Sequence, residues 1–400
     1  MPAVRHHERL IVRGEGAYVW DDHGNRLLDA TASLWYCNVG HGRAEIADAV
    51  DAQMRLLETY HSFQQFATKP AVELADRLAA MVPIDDPRIF LTSGGGDSVE
   101  AAAKLSRRYW DVVGRPQKRM IISRDLCYHG LHGFGTGIGG LDFNRTGQGE
   151  LVPDAERIAT NDAEALASLV AERGADSIAA FFCEPIIGAG GVIHPADGYL
   201  ERVQQICREN DILFVVDEVI TGFGRAGEMF ASDRYGLEPD ILLMAKGVTS
   251  GYQPLGGIAV TERVWAPFWD PDDPQMFHHG ITYSGHASAC AAAMANLDIL
   301  ERERLPQRSR LLEGPLAVAL SACAANRRVS EVRAGVGLLA AVEFHDPAHA
   351  SAAAERCLEA GVILRVIANG ALQVSPPLMI SDADIALLGE VLVSEIDQLT

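Results

Sequence analysis

Residues 211–225, DILFVVDEVITGFGR, decide the fold class. The apolar run from Ile212 to Val216 has the length of a strand and ends at Asp217. A run of this length without polar alternation is typical of a strand covered on both faces, as in a parallel sheet. An unpaired carboxylate at the end of a buried strand would be costly, so Asp217 requires a cation nearby.

Two kinds of cation fit Asp217. One is an arginine or a lysine in an ordinary structural ion pair. The other is the protonated pyridine nitrogen of a cofactor, which an aspartate keeps positive so that the ring withdraws electrons. The carboxyl ends of parallel strands are where such folds bind ligands, and both interpretations remain open for Asp217 alone.

A second apolar run, residues 240–245, ends at Lys246. Partial burial lowers the pKa of a lysine and makes its amine nucleophilic, so Lys246 is a candidate for a Schiff base with an aldehyde. A lysine after a strand can also be a surface residue with a buried stem. If both runs belong to one sheet, Asp217 and Lys246 face a common crevice.

Strand-like and helix-like segments alternate on both sides of these two runs. We predict a mostly parallel sheet covered by helices, with the following segments: strands at residues 88–92, 120–123, 177–182, 337–344 and 362–365; helices at 97–113, 196–209 and 288–303; and a hairpin at 17–29.

The composition excludes several classes of function. The chain has 400 residues, of which 48% are hydrophobic, and a formal net charge of -20, so we expect no nucleic acid partner and no membrane association. The apolar runs are too short for a membrane span, and no signal-peptide pattern occurs. Seven cysteines without a CxxC pair indicate a reduced, cytoplasmic protein. The adjacent pairs His6–His7 and His278–His279 lack the spacing of metal ligands, so no metal is expected.

Glycine-rich segments offer two ligand sites. Ser93 to Ser98, SGGGDS, lies between a predicted strand and a helix, where backbone N–H groups can bind a phosphate; a capped turn explains the segment equally well. Residues 135–140, GTGIGG, match the dinucleotide pattern GxGxxG. The preceding strand ends about ten residues too early for that fingerprint, so we expect a glycine-rich mobile loop near the site.

Motifs along nearly the whole chain resemble the class III aminotransferases, most closely the ω-amino acid and amine aminotransferases. The motifs occur in the family's order: LWYCNVGHG at 34–42, SGGGDSVE at 93–100, YHG at 128–130, EPIIGAGG at 184–191, DEVITGFGR at 217–225, AKG at 245–247 and GITYSGH at 280–286. DEVITGFGR is the most specific of these motifs.

The resemblance implies a fold-type I α/β enzyme that uses pyridoxal 5'-phosphate (PLP) and works as a homodimer with shared active sites. It implies a large PLP-binding domain at residues 61–300 with a mostly parallel sheet of the seven-stranded type. A smaller α+β domain at 301–400 would complete the fold, with residues 1–60 packing against it.

The resemblance also implies roles for single residues. Lys246 would form the Schiff base and move the proton, and Asp217 would pair with the pyridine nitrogen. Tyr128 and Val219 would pack on the two faces of the ring. The remaining implied cofactor contacts are His129 and Glu184 around the ring, Gly95, Gly96 and Asp97 at the phosphate, and Thr282 contributed by the partner subunit.

Substrate binding is implied at two further positions. Trp35 matches an aromatic residue that shapes the pocket in this family, and Arg365 stands where many members carry a movable arginine. A guanidinium can grip a carboxylate and withdraw for an uncharged substrate, although a surface ion pair is the structural alternative for Arg365. The chain departs from the family at Gly96, where a serine is common, and at residues 368–371, where the turn is longer.

These observations favour an aminotransferase that moves an amino group from a primary amine or ω-amino acid to a keto acid such as pyruvate. The alternatives are a PLP-dependent aminomutase, a tailoring aminotransferase of natural-product biosynthesis, and a non-catalytic PLP-binding relative. Intact Lys246 and Asp217 argue against the last of these. A dehydrogenase would depend on residues 135–140 alone.

Overall fold

The computed structural model describes residues 9–399, so the His6–His7 pair lies outside the described residues. The strands are β1 (Ile11–Glu15), β2 (Tyr18–Asp21), β3 (Arg26–Asp29), β4 (Arg88–Thr92), β5 (Met120–Arg124), β6 (Ala155–Ile158), β7 (Ile178–Cys183), β8 (Leu213–Asp217), β9 (Ile241–Met244), β10 (Gly256–Val260), β11 (Val329–Val336), β12 (Leu339–Phe344), β13 (Val362–Ile363), β14 (Arg365–Ile367) and β15 (Ala371–Val374). The helices are α1 (Ala32–Trp35), α2 (Ala44–Leu56), α3 (Lys69–Met81), α4 (Gly95–Val112), α5 (Gly133–Ile138), α6 (Asp142–Arg145), α7 (Ala163–Arg173), α8 (Tyr199–Glu209), α9 (Ala231–Tyr235), α10 (Glu262–Trp265), α11 (Ala287–Arg302), α12 (Leu305–Ser321), α13 (Pro347–Glu359) and α14 (Asp382–Asp397).

The largest sheet has seven strands in the order β4-β10-β9-β8-β7-β5-β6. Strands β5 to β9 pair in parallel, whereas β10 is antiparallel to both of its neighbours, β4 and β9. The predicted α/β class with a mostly parallel seven-stranded sheet is therefore confirmed. Strand β10 runs antiparallel to β9 because the connection between them is short and contains no crossover helix, which a parallel pair would require.

Both faces of strand β8 are covered, which explains its unbroken apolar sequence. Leu213 and Val215 pack in the core that contains α4, and Phe214 and Val216 pack on the opposite face with α8. All five residues of β8 are buried, so a polar side chain within the strand would find no solvent on either side.

Two four-stranded sheets involve the termini of the described chain. One has the order β1-β2-β3-β13, with β13 parallel to β3, and the other has the order β11-β12-β15-β14. The predicted strand at residues 362–365 is wrong as a single element, because the chain leaves the first sheet after Ile363 and enters the second at Arg365. Helix α2 packs against α11. The domain limits at residues 60 and 300 stay a prediction.

The glycine-rich segment 135–140 is not a mobile loop. Its first part lies in helix α5, and Gly140 then pairs with residues after β5: its N–H donates to the Cys127 carbonyl at 2.9 Å and its carbonyl accepts from Leu126 N–H at 3.3 Å. A Cβ at Gly135 would lie 2.3 Å from the carbonyl oxygen of His129. Close backbone packing therefore accounts for these glycines, and nothing remains of the dinucleotide fingerprint.

Within residues 9–399, no helix combines the length and the apolar character that crossing a bilayer requires.

Candidate active site

The ends of strands β8 and β9 bring Asp217 and Lys246 to one crevice. The two strands are parallel neighbours, with Asp217 opposite Leu243. The residues that follow each strand therefore leave the sheet at the same edge. A cavity of about 450 Å³ opens there. Its wall includes eight further residues that the sequence placed in the candidate site or its phosphate turn: Ser93, Gly94, Gly95, Gly96, Tyr128, His129, Glu184 and Val219.

Lys246 begins a short turn one residue after the end of β9, and its backbone has a φ of 45°. Residues other than glycine seldom adopt this left-handed backbone conformation, and strained residues of this kind cluster at functional sites. Burial lowers the pKa of Lys246 to about 8, although the negative charges of Asp217 and Glu184 act in the opposite direction. The amine is therefore partly neutral near neutral pH, which is the state a nucleophile needs.

Asp217 is held by a histidine and by backbone. Its Oδ2 lies 2.7 Å from Nδ1 of His129, and its Oδ1 accepts from Val219 N–H at 3.0 Å. Within residues 9–399, no arginine or lysine forms an ion pair with Asp217. The structural alternative of a simple Arg or Lys pair is therefore not what the fold provides.

His129 completes a buried charge pair behind the cavity. Burial alone would lower the pKa of His129, but the Cys127 thiol and the Asp217 carboxylate outweigh it, and the pKa lies well above its usual range. A protonated His129 stabilises the negative charge of Asp217, whose carboxylate lines the cavity. Asp217 can therefore still bind a cation that enters the cavity.

Glu184 orients the loop that carries Tyr128. Its two carboxylate oxygens accept from Tyr128 N–H at 2.9 Å and from Gly188 N–H at 3.0 Å. Burial raises the pKa of Glu184. The side chain thus joins two loops at the cavity wall, and within one chain it makes no hydrogen bond to Asp217.

The predicted phosphate turn has unused hydrogen-bond donors. Helix α4 begins at Gly95, two residues earlier than predicted, and no side chain caps its N-terminus. Ser98 instead bonds Thr92 and the carbonyl of Gly94, so the capping interpretation of this segment is wrong. The Ser93 hydroxyl is buried and has no partner among residues 9–399. Free N–H groups, a helix dipole and an unpaired hydroxyl fit an anion such as a phosphate.

Two predicted contacts do not reach this cavity within one chain. Asp97 lies 3.5 Å from His132 Nδ1 and is absent from the cavity wall. Thr282 is exposed in the turn before α11. The assignments of Asp97 to the phosphate and of Thr282 to the partner's phosphate stay predictions.

A second cavity, of about 510 Å³, adjoins the first at Tyr128 and Lys246. Trp35 and Arg365 lie in its wall, with the guanidinium carbon of Arg365 4.8 Å from the centre of the Trp35 ring. Trp35 is fixed by a 3.1 Å hydrogen bond from Nε1 to Ser375 Oγ. Leu34, from the motif at 34–42, also lies in this wall. The other wall residues were not predicted from the sequence and are apolar except for Asn144: Leu131, Leu141, Phe143, Ala189, Val366, Ile367 and Ala368.

Arg365 has no acidic partner. In the part of the chain that the structure describes, it forms neither a salt bridge nor a hydrogen bond through its side chain. Burial lowers its pKa, and the nearby Tyr128 opposes this. The expected alternative of a surface ion pair is therefore absent, and the cation is available for an anionic group in the cavity.

Together the two cavities fit PLP and a small substrate. The first offers an amine at Lys246, a carboxylate at Asp217 and unpaired donors at the start of α4. The second offers a mainly apolar wall that carries the guanidinium of Arg365. The arrangement suits an aldehyde, a ring nitrogen and a phosphate in the first cavity, and a substrate with an apolar part in the second.

Comparisons with known proteins agree with this arrangement. The family model described as aminotransferase class-III matches residues 1–396. A putrescine–pyruvate aminotransferase of Pseudomonas aeruginosa is 38% identical over 407 residues, which cover 94% of this chain and 88% of the relative.

Solved structures of transaminases share the fold. The PLP-bound amine transaminase of an uncultivated Pseudomonas species superposes with a TM-score of 0.93 at 35% identity, covering 99% of this chain and 96% of the other. An (S)-enantioselective ω-transaminase of Thermomicrobium roseum has a TM-score of 0.93 at 36% identity, covering 98% and 93%. Since the family model spans almost the entire chain and the residues present fit the cofactor, the protein belongs to the class III aminotransferases, which are PLP-dependent enzymes.

Proposed function

We propose that this enzyme transfers an amino group from a primary amine or an ω-amino acid to a keto acid such as pyruvate. The observation that carries the proposal is Arg365, a cation without a carboxylate partner in a mainly apolar cavity that adjoins Lys246. An apolar wall accommodates the carbon chain of an amine, and a guanidinium binds the carboxylate of a keto acid in two hydrogen bonds.

Putrescine–pyruvate aminotransferase activity in a relative that is 38% identical supports the same donor and acceptor classes.

Bound PLP supplies an aldehyde and a ring that accepts electrons from the carbon next to the substrate nitrogen. Asp217 would hold the proton on the pyridine nitrogen, and His129 would hold the Asp217 carboxylate in position. Val219 and Tyr128 would pack on the two ring faces, and the first turn of α4 with Ser93 would bind the phosphate.

Lys246 would act twice through the same atom. Its neutral Nζ would be the group that holds the aldehyde of the cofactor, because burial has lowered the pKa of Lys246. The same Nζ, when it is not bonded to the cofactor, would accept a proton from the substrate carbon and then give that proton up again. The position of Nζ, 5.6 Å from the centre of the Trp35 ring, keeps it at the junction of the two cavities.

The proposal includes a homodimer with shared active sites and a cytoplasmic location. Exposed apolar side chains at Tyr60, Phe63 and Phe66, together with Tyr283 beside Thr282, support a subunit interface near the site. Seven unpaired, buried cysteines support a reducing compartment.

The visible absorbance of the purified protein tests the proposed function. With PLP bound, we expect a yellow band that bleaches on addition of a primary amine or ω-amino acid and returns on addition of pyruvate. A band that bleaches with no member of a donor panel would contradict the donor class and favour an aminomutase, and a protein that binds no PLP would overturn the proposal.

A further inference from the structure

The hairpin of β14 and β15 places Arg365 directly opposite Gln373. Directly opposed residues of an antiparallel pair project on the same face, with Cβ atoms about 5 Å apart. Ser375, two residues after Gln373, accepts a hydrogen bond from Trp35. Arg365, in the wall of the second cavity, and Gln373 are therefore neighbours on that face of the sheet.

Gln373 is the polar residue of an otherwise apolar strand, ALQV, and it is completely buried. Its Nε2 donates to the Thr31 carbonyl at 3.1 Å. Its Oε1 is buried and has no hydrogen-bond partner among residues 9–399. A buried acceptor without a donor is costly, and the fold retains one here.

Arg365 has hydrogen-bond donors without acceptors. Its guanidinium carries five N–H donors, and within the described residues none of them reaches an acceptor. Partial burial prevents water from fully replacing those bonds, which is consistent with the lowered pKa of Arg365. An unpaired donor group and an unpaired acceptor thus belong to residues that face each other across the β14–β15 pair.

We infer that Gln373 is a positioning residue that holds Arg365 in a withdrawn position through Oε1, and that it thereby sets the choice between carboxylate and uncharged substrates. The inference rests on the proposed function, in which Arg365 binds the substrate carboxylate. In the withdrawn position Arg365 bonds Gln373, and in the other it lies over Trp35 and faces the cavity.

The chemistry of the amide suits this role. A neutral amide oxygen binds a guanidinium more weakly than a carboxylate does, so a keto acid draws Arg365 away from Gln373. An amine that lacks a carboxylate does not draw Arg365 away, and the guanidinium then stays paired with Gln373 outside the apolar cavity. A glutamate at this position would retain Arg365 permanently, and an apolar residue would leave it in the cavity.

Two substitutions test the inference because they should act in opposite directions. Gln373→Glu should raise the KM for pyruvate about tenfold or more, while the KM for an uncharged amine changes less than about twofold. Gln373→Met keeps the length of the side chain but removes the acceptor. It should lower the KM for pyruvate and raise the KM for the amine, by about two- to fivefold each.

A binding measurement and a control accompany the kinetics. Propionate, which has a carboxylate but no reacting group, should raise the melting temperature of Gln373→Met holoenzyme more than that of wild type, and that of Gln373→Glu less. The neighbouring Val374 packs in the core on the opposite face, so Val374→Ala should lower the melting temperature without changing the ratio of the two KM values.

The outcomes separate this inference from the proposed function. Equal effects of either Gln373 variant on pyruvate and amine, or effects of the same sign in both variants, overturn the role of Gln373. Arg365→Ala should raise the KM for pyruvate much more than that for the amine. If Arg365→Ala affects both equally, the carboxylate role of Arg365 is wrong; if it acts as expected and the Gln373 variants do not, only the role of Gln373 fails.

Discussion

Lys246 differs from other lysines of the chain in its position relative to the cavity. Lys118 is also buried, and burial likewise lowers its pKa to about 8, but its amine donates to the carbonyls of Ala175 and Asp211. A lowered pKa is therefore not sufficient for chemistry, because Lys118 is already bonded and lies outside the cavity wall. The geometry around Lys246 is what makes its amine available.

Lys246→Ala should remove the yellow band of the PLP-bound protein and lower the transfer rate by about a thousandfold, because the nucleophile and the proton carrier are lost together. Absorbance and steady-state rates measure both effects. Lys118→Met is the matched control: it should lower the melting temperature and keep the band. Retention of the band in Lys246→Ala would disprove the assignment.

The pKa of Lys246 predicts a pH dependence for cofactor uptake. Its value of about 8 lies below the usual value for lysine, so the reactive neutral amine is lost as the pH falls through 8. The rate at which apoprotein acquires PLP absorbance should therefore rise with pH, with a midpoint near 8. A midpoint near 10, as for an exposed lysine, would show that Lys246 is fully solvated.

Among single residues, the sequence indicated Asp217 and Lys246 because charged side chains follow unbroken apolar runs. It could not show that His129 rather than an arginine pairs with Asp217, since the two are 88 positions apart. Gln373 gave no signal at all: one glutamine in a short strand has no pattern, and its unpaired oxygen exists only in the folded hairpin.

At the level of elements, helix α5 and the following glycines position the loop of Tyr128 and His129. A Cβ at Gly140 would lie 2.4 Å from Leu126 N and 2.5 Å from the Arg124 carbonyl oxygen. Backbone atoms cannot move aside as a flexible side chain can, so the loop itself must shift. The same glycines that matched GxGxxG are thus required for packing.

Gly140→Ala should destabilise the protein by about 2 kcal/mol or more through overpacking, and should weaken PLP binding because the loop carries the ring-packing residue. Thermal melting and PLP titration measure the two effects. Gly314→Ala provides the control, since nothing lies within 4 Å of its Cβ, and it should change the melting temperature far less. Equal melting temperatures for the two variants would contradict the packing argument.

On the scale of the whole molecule, the site of one chain leaves Thr282 unused. The turn that carries it is exposed, and the adjacent Tyr283 is 62% exposed, which is unusual for a large aromatic residue unless another surface covers it. The arrangement agrees with the proposed homodimer, in which this turn would reach the phosphate of the partner subunit.

Sedimentation at micromolar concentration should give twice the mass of the 43.1 kDa chain. Thr282→Val should raise the dissociation constant for PLP by about five- to tenfold through loss of one hydrogen bond to a charged group, with the mass unchanged. A monomer with full PLP affinity would disprove the shared site.

The sequence by itself determined the α/β class, the mostly parallel sheet and the candidate residues at the ends of β8 and β9. It did so because burial on both faces requires unbroken apolar strands, and a charged residue is tolerated only where such a strand ends. These are local constraints, and each can be read within about ten residues.

Only the tertiary structure decided which residues that are distant in the sequence come together. The division of residues 362–367 between two sheets depends on partners at Leu28 and Gln373, which lie far apart in the chain. Contacts between distant residues likewise determine three features of the site. These are the pairing of His129 with Asp217, the missing partner of Arg365 and the unpaired oxygen of Gln373. A sequence states which groups exist, whereas packing determines which of them are satisfied and which remain free to bind a substrate.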